Sequence, residues 1–151
     1  MKAVNGFTTM KIVVTIKQVI DPEMPASAFS IDPTSQRVAA PPNIAPVING
    51  FDEQAVEAAL RIREAGNDTE ITVLSAGSDF IMDVVKKPLA MGADALVLVE
   101  DTSLGNDPDP SVIVDTLVAA IHKLGDVDLV LAGRQASDWD NAQVALGVAE
   151  A

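Results

Sequence analysis

The stretch DLVLAGRQASDWDNAQV, residues 128–144, decides the fold. An apolar run of four residues, Leu129 to Ala132, reads as a short strand covered on both faces and stops at Gly133. A polar loop follows, and an Ala/Val-rich segment with helical character begins after Asp140. A buried strand that runs through a glycine into a polar loop and a helix is one half of a βαβ unit, so the rest of the chain is expected to repeat it.

It does. KIVVTI (11–16), EITVLSAG (70–77) and ALVLVED (95–101) are further apolar, β-branched runs. Between them lie amphipathic segments. NGFDEQAVEAALRIREAGND (49–68) places Ala55, Ala59 and Ile62 at helical spacing, with Asp52 and Glu53 where the helix dipole favours acids and Gly66 as a stop. In SDFIMDVVKKPLAMGAD (78–94), Ser78 or Asp79 is the expected N-cap and Pro88 the expected kink or end. DPDPSVIVDTLVAAIHKLGDVD (107–128) opens with Asp109 before Pro110 and closes on Gly125. ASAFSID and QRVAAPP, around Asp32-Pro33-Thr34-Ser35, read as a hairpin excursion. The economical result is an α/β fold with a doubly wound, mostly parallel sheet; the alternative is an α+β arrangement with the hairpin as an antiparallel edge of that sheet.

Composition narrows the function. The chain has 151 residues, 48% of them hydrophobic but only 3% aromatic, so its core is aliphatic. A net charge of −12 argues against nucleic acid or an anionic membrane as partner, since both need a cationic face. The absence of cysteine removes disulfides, thiolate metal sites and a catalytic thiol, and fits a cytoplasmic protein. No apolar run approaches the ~20 residues that span a bilayer. MKAVNGFTTM lacks the apolar centre of a signal peptide, so residues 1–9 are read as an extension before a domain from 10 to 151.

Ligands of parallel α/β sheets bind beyond the carboxyl ends of the strands. Here those ends are Thr15 to Lys17, Ser75-Ala76-Gly77, Glu100-Asp101 and the loop from Gly133. If Asp140 caps the last helix, the amides of Asn141, Ala142 and Gln143 are free to take a phosphate, with Arg134 as countercharge. An N-capped helix behind a solvated loop accounts for the same residues equally well. There is no Walker loop and no G-x-G-x-x-G after a strand. His122 is the single histidine and sits near a helix end, so it reads as a surface residue and a histidine triad has no second candidate. Asp101, Asp107 and Asp109 do not follow EF-hand spacing, and a metal is not expected. Trp139 either stacks on a ring or packs under the next helix, and the methionines read as core filler.

Four segments in order, IVVTIKQVIDPE, NGFDEQAVEAALRIREAG, PLAMGADALVLVED and DLVLAGRQASDWDNAQV, resemble the β subunit of electron transfer flavoproteins. LAMGAD and the G-R-Q-A-x-D loop are the most specific parts, and the resemblance covers nearly everything from Lys11 onward. It implies an adenine-nucleotide α-hydrolase-like, Rossmann-like fold. It also implies a heterodimer whose α subunit holds the redox-active FAD, and a β-subunit site for AMP or, in bifurcating members, a second FAD. Such a protein carries electrons from dehydrogenases to a downstream acceptor and is not itself an enzyme.

The site residues implied by the resemblance are Thr15; Asn49, Gly50, Phe51 and Asp52; Ala76; and the run Gly133, Arg134, Gln135, Ala136, Ser137, Asp138, Trp139, Asp140, Asn141, Ala142, Gln143 and Val144. The phosphate is expected on the amides of Asn141 to Val144. There are departures from the family pattern. Gly50 stands where proline is common. D-W-D-N-A-Q-V is nearer to the bifurcating D-G-D-T-A-Q-V than to the AMP-type D-D-D-C-N-Q-T, yet Trp139 replaces its small glycine. Family members are longer, which implies that the chain is truncated at its C-terminus. The competing expectation is a stand-alone adenine-nucleotide sensor of the universal-stress type, whose phosphate loop is not found here.

Overall fold

The first apolar run, Met10–Thr15 (β1), lies at the centre of the sheet because both of its faces are apolar. The computed structural model describes residues 9–34, 36–39, 41–66, 68–105 and 108–151. Most of the expected N-terminal extension, Ser35 and Ala40 of the hairpin, Asn67 beyond the first helix and Asp107 of the acidic cluster lie outside the described residues.

After β1 the chain makes a short strand Gln18–Val19 (β2), a 3-10 turn Ala26–Ala28, a hairpin of Ile31–Asp32 (β3) and Arg37–Val38 (β4), and Val47–Ile48 (β5). β2 and β5 pair antiparallel, as do β3 and β4, each pair forming its own small sheet. The hairpin is therefore separate from the main sheet, which removes the α+β alternative. Helix Gly50–Glu64 (α1) leads to strand Thr69–Gly77 (β6), then to two short helices, Met82–Val85 (α2) and Lys87–Met91 (α3). The expected single helix is thus broken at Lys86, two residues before Pro88, whose ring conflicts with the carbonyl four residues earlier. Its N-cap is Ile81; Asp79 instead takes a left-handed backbone with φ 53°. Strand Ala95–Glu100 (β7), helix Pro110–Leu124 (α4), strand Leu129–Ala132 (β8) and helix Val144–Glu150 (α5) complete the described chain.

Among the described residues the main sheet runs β7-β6-β1-β8, all parallel. The chain steps outward from β1 through β6 to β7, then returns to the other side of β1 for β8. Alternate residues face opposite layers. Ile12, Val14, Ile71 and Val73 pack with Val56 and Ala59 of α1 and Val84 and Val85 of α2. Val13 and Leu74 pack with Leu117 of α4, joined by Val144 and Val148 of α5. Helices on both faces explain why the strands are apolar throughout, and the sheet is doubly wound.

Two sequence signals become plain in this frame. Asp109 caps α4 as expected, accepting from the Ser111 amide at 2.8 Å, and Pro110 follows at the first helical position. The LAMGAD motif lies at the amino end of the sheet and is structural there. Gly92 turns with φ 126°, and Asp94 accepts from the Ile71 amide at 2.7 Å and from Arg63 at 2.5 Å.

Candidate functional site

A doubly wound sheet opens a crevice where successive strands step away in opposite directions, because the loops that follow them diverge. Here that point lies between β1 and β8. A cleft of about 270 Å³ sits at their carboxyl ends and extends over the end of β6.

The cleft is assembled by bonds between distant segments. Asp52, in the first turn of α1, accepts from the Lys17 amide at 2.7 Å and the Gly133 amide at 3.2 Å. Asn49, immediately before α1, is 1% exposed. Its Nδ2 donates to the Gln135 carbonyl at 2.8 Å, and its Oδ1 accepts from the Ser137 amide at 3.2 Å. The start of α1 therefore holds the end of β1 and the loop after β8 together. Gly133 is required at this junction, since a Cβ there would collide with the Asp52 carboxylate and lie 2.9 Å from backbone atoms of Phe51 and Asp52. Burial pushes the Asp52 carboxyl up to about 6, against the opposing pull of hydrogen bonds from Lys17, Asn49 and Gly133. Lys17 Nζ closes the loop from outside with an ion pair to Asp138 at 2.6 Å.

The other side of the cleft is less polar. Ser75 is buried and donates to the Ile16 carbonyl at 2.7 Å, tying β6 to the residue after β1. Ser78 donates to the Gly105 carbonyl at 2.9 Å. Phe80, Pro108, Ile113 and Leu117 add an apolar wall.

Most of the residues singled out in the sequence meet here. Thr15, Asn49, Asp52 and Ala76 line the cleft, as do Gly133, Arg134, Gln135, Ala136 and Trp139 and the run Asn141, Ala142, Gln143 and Val144. Five do not. Gly50 opens α1 at the surface, and Phe51 lies under the guanidinium of Arg134, 5.2 Å from its ring centroid. Ser137 and Asp138 fasten the loop, and Asp140 accepts from Gln135 Nε2 at 2.6 Å. The Glu100-Asp101 strand end also lies outside the lining. His122, in the last turn of α4, is outside it as well.

The expected cap is corrected. Asp140 does not start the last helix: α5 begins at Val144 after Gln143, and both Asp140 and Ala142 have φ 53°. Among the described residues no hydrogen bond takes the amides of Asn141, Ala142, Gln143 or Val144. Left-handed Ala142 beside right-handed Gln143 (φ −101°, ψ −37°) is the alternation of backbone hand that turns successive N–H groups to one side. The lining residues that the candidate set left out are chiefly Lys17, Ser75 and the apolar wall. Ser75 and Lys17 sit at strand ends and carried a positional signal; Phe80, Ile113 and Leu117 look like ordinary core positions.

Fold and site together define a Rossmann-like α/β protein with a cleft at the switch point of its sheet. Residues 43–151 match the electron transfer flavoprotein domain family, and the chain belongs to it. It is 41% identical over 143 residues to an electron transfer flavoprotein subunit beta of Megasphaera elsdenii, covering 89% of this chain and 50% of that relative. It is 38% identical over 141 residues to the caffeyl-CoA reductase-Etf complex subunit CarD of Acetobacterium woodii, covering 93% and 52%. A mitochondrial electron transfer flavoprotein subunit beta of Oryza sativa subsp. indica is 36% identical over 136 residues, covering 87% and 50%. The chain spans about half the length of the curated relatives it matches. No helix among the described residues is long and apolar enough to cross a membrane.

Proposed function

We propose that this chain forms the nucleotide-binding part of an electron transfer flavoprotein β subunit, holding the adenylate portion of AMP or of a second FAD in the switch-point cleft. The observation that carries the reading is the set of unpartnered amides from Asn141 to Val144 on the wall of that cleft. Unpaired backbone amides supply the neutral donors a phosphate needs, where side-chain cations are few. Thr15 and Ala76, small residues at neighbouring strand ends, leave room for the nucleoside, and Trp139 flanks the opening. Asn49 and Asp52 act through the loop they hold in place.

In the assembled protein this β subunit pairs with an α subunit that holds the redox-active FAD. Electrons enter from dehydrogenases and leave to a downstream acceptor. Flavin, when bound, supplies all the redox chemistry; the side chains of this chain bind, orient and shield, so the chain is a carrier subunit and not an enzyme. The family match favours this over a stand-alone nucleotide sensor.

Denaturing the complex purified with its flavin-bearing partner, and identifying the released small molecules by mass and absorbance, tests the reading. Release of FAD with AMP, or of two FAD per complex, is expected. Release of the partner's FAD with no second adenine nucleotide would overturn it.

A further inference from the structure

Among the described residues Asp52 is the one ionisable side chain that is buried, 6% exposed. It stands where three segments meet. Its Oδ2 accepts from the Lys17 amide at the end of β1, and its Oδ1 from the Gly133 amide that opens the loop after β8. The other ties of that loop are of a different kind. Asn49 holds it through uncharged bonds to Gln135 and Ser137, and Lys17 Nζ holds Asp138 where solvent reaches the pair.

Little around Asp52 offsets the burial of its charge. Lys17 is the one cation that acts on it, and its attraction is the weakest of the influences there. On the loop after β8, Arg134 is stacked on Phe51, Asp138 is paired with Lys17, and Asp140 is bonded to Gln135. Glu53, next on α1, is exposed. β5 and β8 carry no charged residue, and the one on β6, Glu70, lies at the opposite end of the sheet. Burial therefore outweighs the amide bonds, and the carboxyl rises from 3.8 to about 6. Opened to water, it returns towards its ordinary value, so the closed junction binds the proton more firmly than the open one. The hold is fully present below about pH 4 and is lost as the pH rises through about 6.

We propose that Asp52 is a proton-controlled latch on the loop after β8: protonated, it keeps the loop from Gly133 to Asp140 closed on the first turn of α1, and its ionisation loosens that loop. Between about pH 4 and pH 7 the ratio of open to closed loop rises by up to about a hundredfold, a factor of ten for each pH unit separating the closed and open values. The latch needs no ligand and stands or falls apart from the adenylate reading.

Trp139 reports on it directly. It is the only tryptophan, the chain has no tyrosine, and it lies in the loop, 54% exposed. Its quenching by acrylamide, followed from about pH 4.5 to about pH 7.5 with far-UV circular dichroism alongside, tests the proposal. Quenching is expected to increase with pH in one step centred near 6, while the far-UV signal stays constant. Asp52→Asn should remove the step. His122→Gln should leave it, histidine being the side chain that ordinarily titrates in this range. In the unaltered chain the amide proton resonances of Lys17 and Gly133 should shift with the same midpoint, a measurement that holds even if Asp52→Asn does not fold. The absence of a step overturns the proposal, as does a step that survives Asp52→Asn or vanishes with His122→Gln. So does a step shared by the far-UV signal, or amide resonances that titrate apart from Trp139.

Discussion

Asp52 is held by two opposed forces. Burial disfavours its charge, while two amide donors favour it, and burial wins: the carboxyl is pushed up to about 6 from an ordinary 3.8. A folded value above the unfolded one means the folded chain takes up the proton more readily. The stability this group contributes is therefore fully present below about pH 4 and is lost as the pH rises through about 6. Asp52→Asn, which keeps one acceptor and removes the charge, should flatten that dependence. The fall in unfolding free energy between pH 4 and pH 7 is expected to be smaller in the variant by roughly 1–3 kcal/mol, measured by urea titration at both pH values. Parallel pH profiles for the two proteins would show an ordinary carboxyl. In the local sequence pattern Asp52 reads as an acid in a first helical turn, and only the family resemblance marked it as a site residue. Its partners lie 35 and 81 residues away, and no local pattern announces them.

At the scale of elements, the helices following β5, β6, β7 and β8 were all legible, but their starts were placed correctly only where the local signal was genuine. Asp109-Pro110 marks α4 because cap and first-turn proline are chemistry between near neighbours. Asp140 imitates such a signal, yet it lies in the left-handed region and its carboxylate accepts from Gln135 instead of capping. The position of α5 follows from packing. A Cβ on Gly147 would come within 2.6 Å of Val114 on α4, so the two helices approach as closely as they do only because residue 147 is glycine. Gly147→Ala should destabilise the fold by about 1–3 kcal/mol through overpacking, despite the better helix propensity of alanine. Val114→Ala in the same chain should recover part of that loss, seen as a coupling term in a double-mutant cycle. Additive effects would mean that the two side chains do not meet. Similarly, the broken helix at Lys86 shows Pro88 acting earlier than its own position, through the carbonyl behind it.

For the whole molecule, the apolar runs were sufficient to give four parallel strands with helices between them, since a strand buried on both faces has a composition of its own. Which strands become neighbours was not written in any one segment. The order β7-β6-β1-β8 puts β1 beside β8, and only that adjacency brings Thr15 to the loop that begins at Gly133. The cleft is thus a property of the sheet order, while its small residues at strand ends were visible beforehand. Family resemblance supplied the residues of the loop; it did not reveal that Asn49 and Asp52 hold that loop in place.

The tie from Asn49 to Gln135 and Ser137 also sets a timetable. Its hydrogen bonds join residues 86 and 88 positions apart, so they close among the largest loops in the chain, after the cost in chain entropy has been met by earlier contacts. Asn49→Ala should consequently accelerate unfolding and leave the refolding rate nearly unchanged, with a φ-value near zero in stopped-flow measurements. A variant that instead slowed refolding would place the tie in the folding nucleus. A φ-value near zero would mean that the loop after β8 is fastened only once β1 has paired with β6 and β8, so that the cleft is the last part of the fold to close.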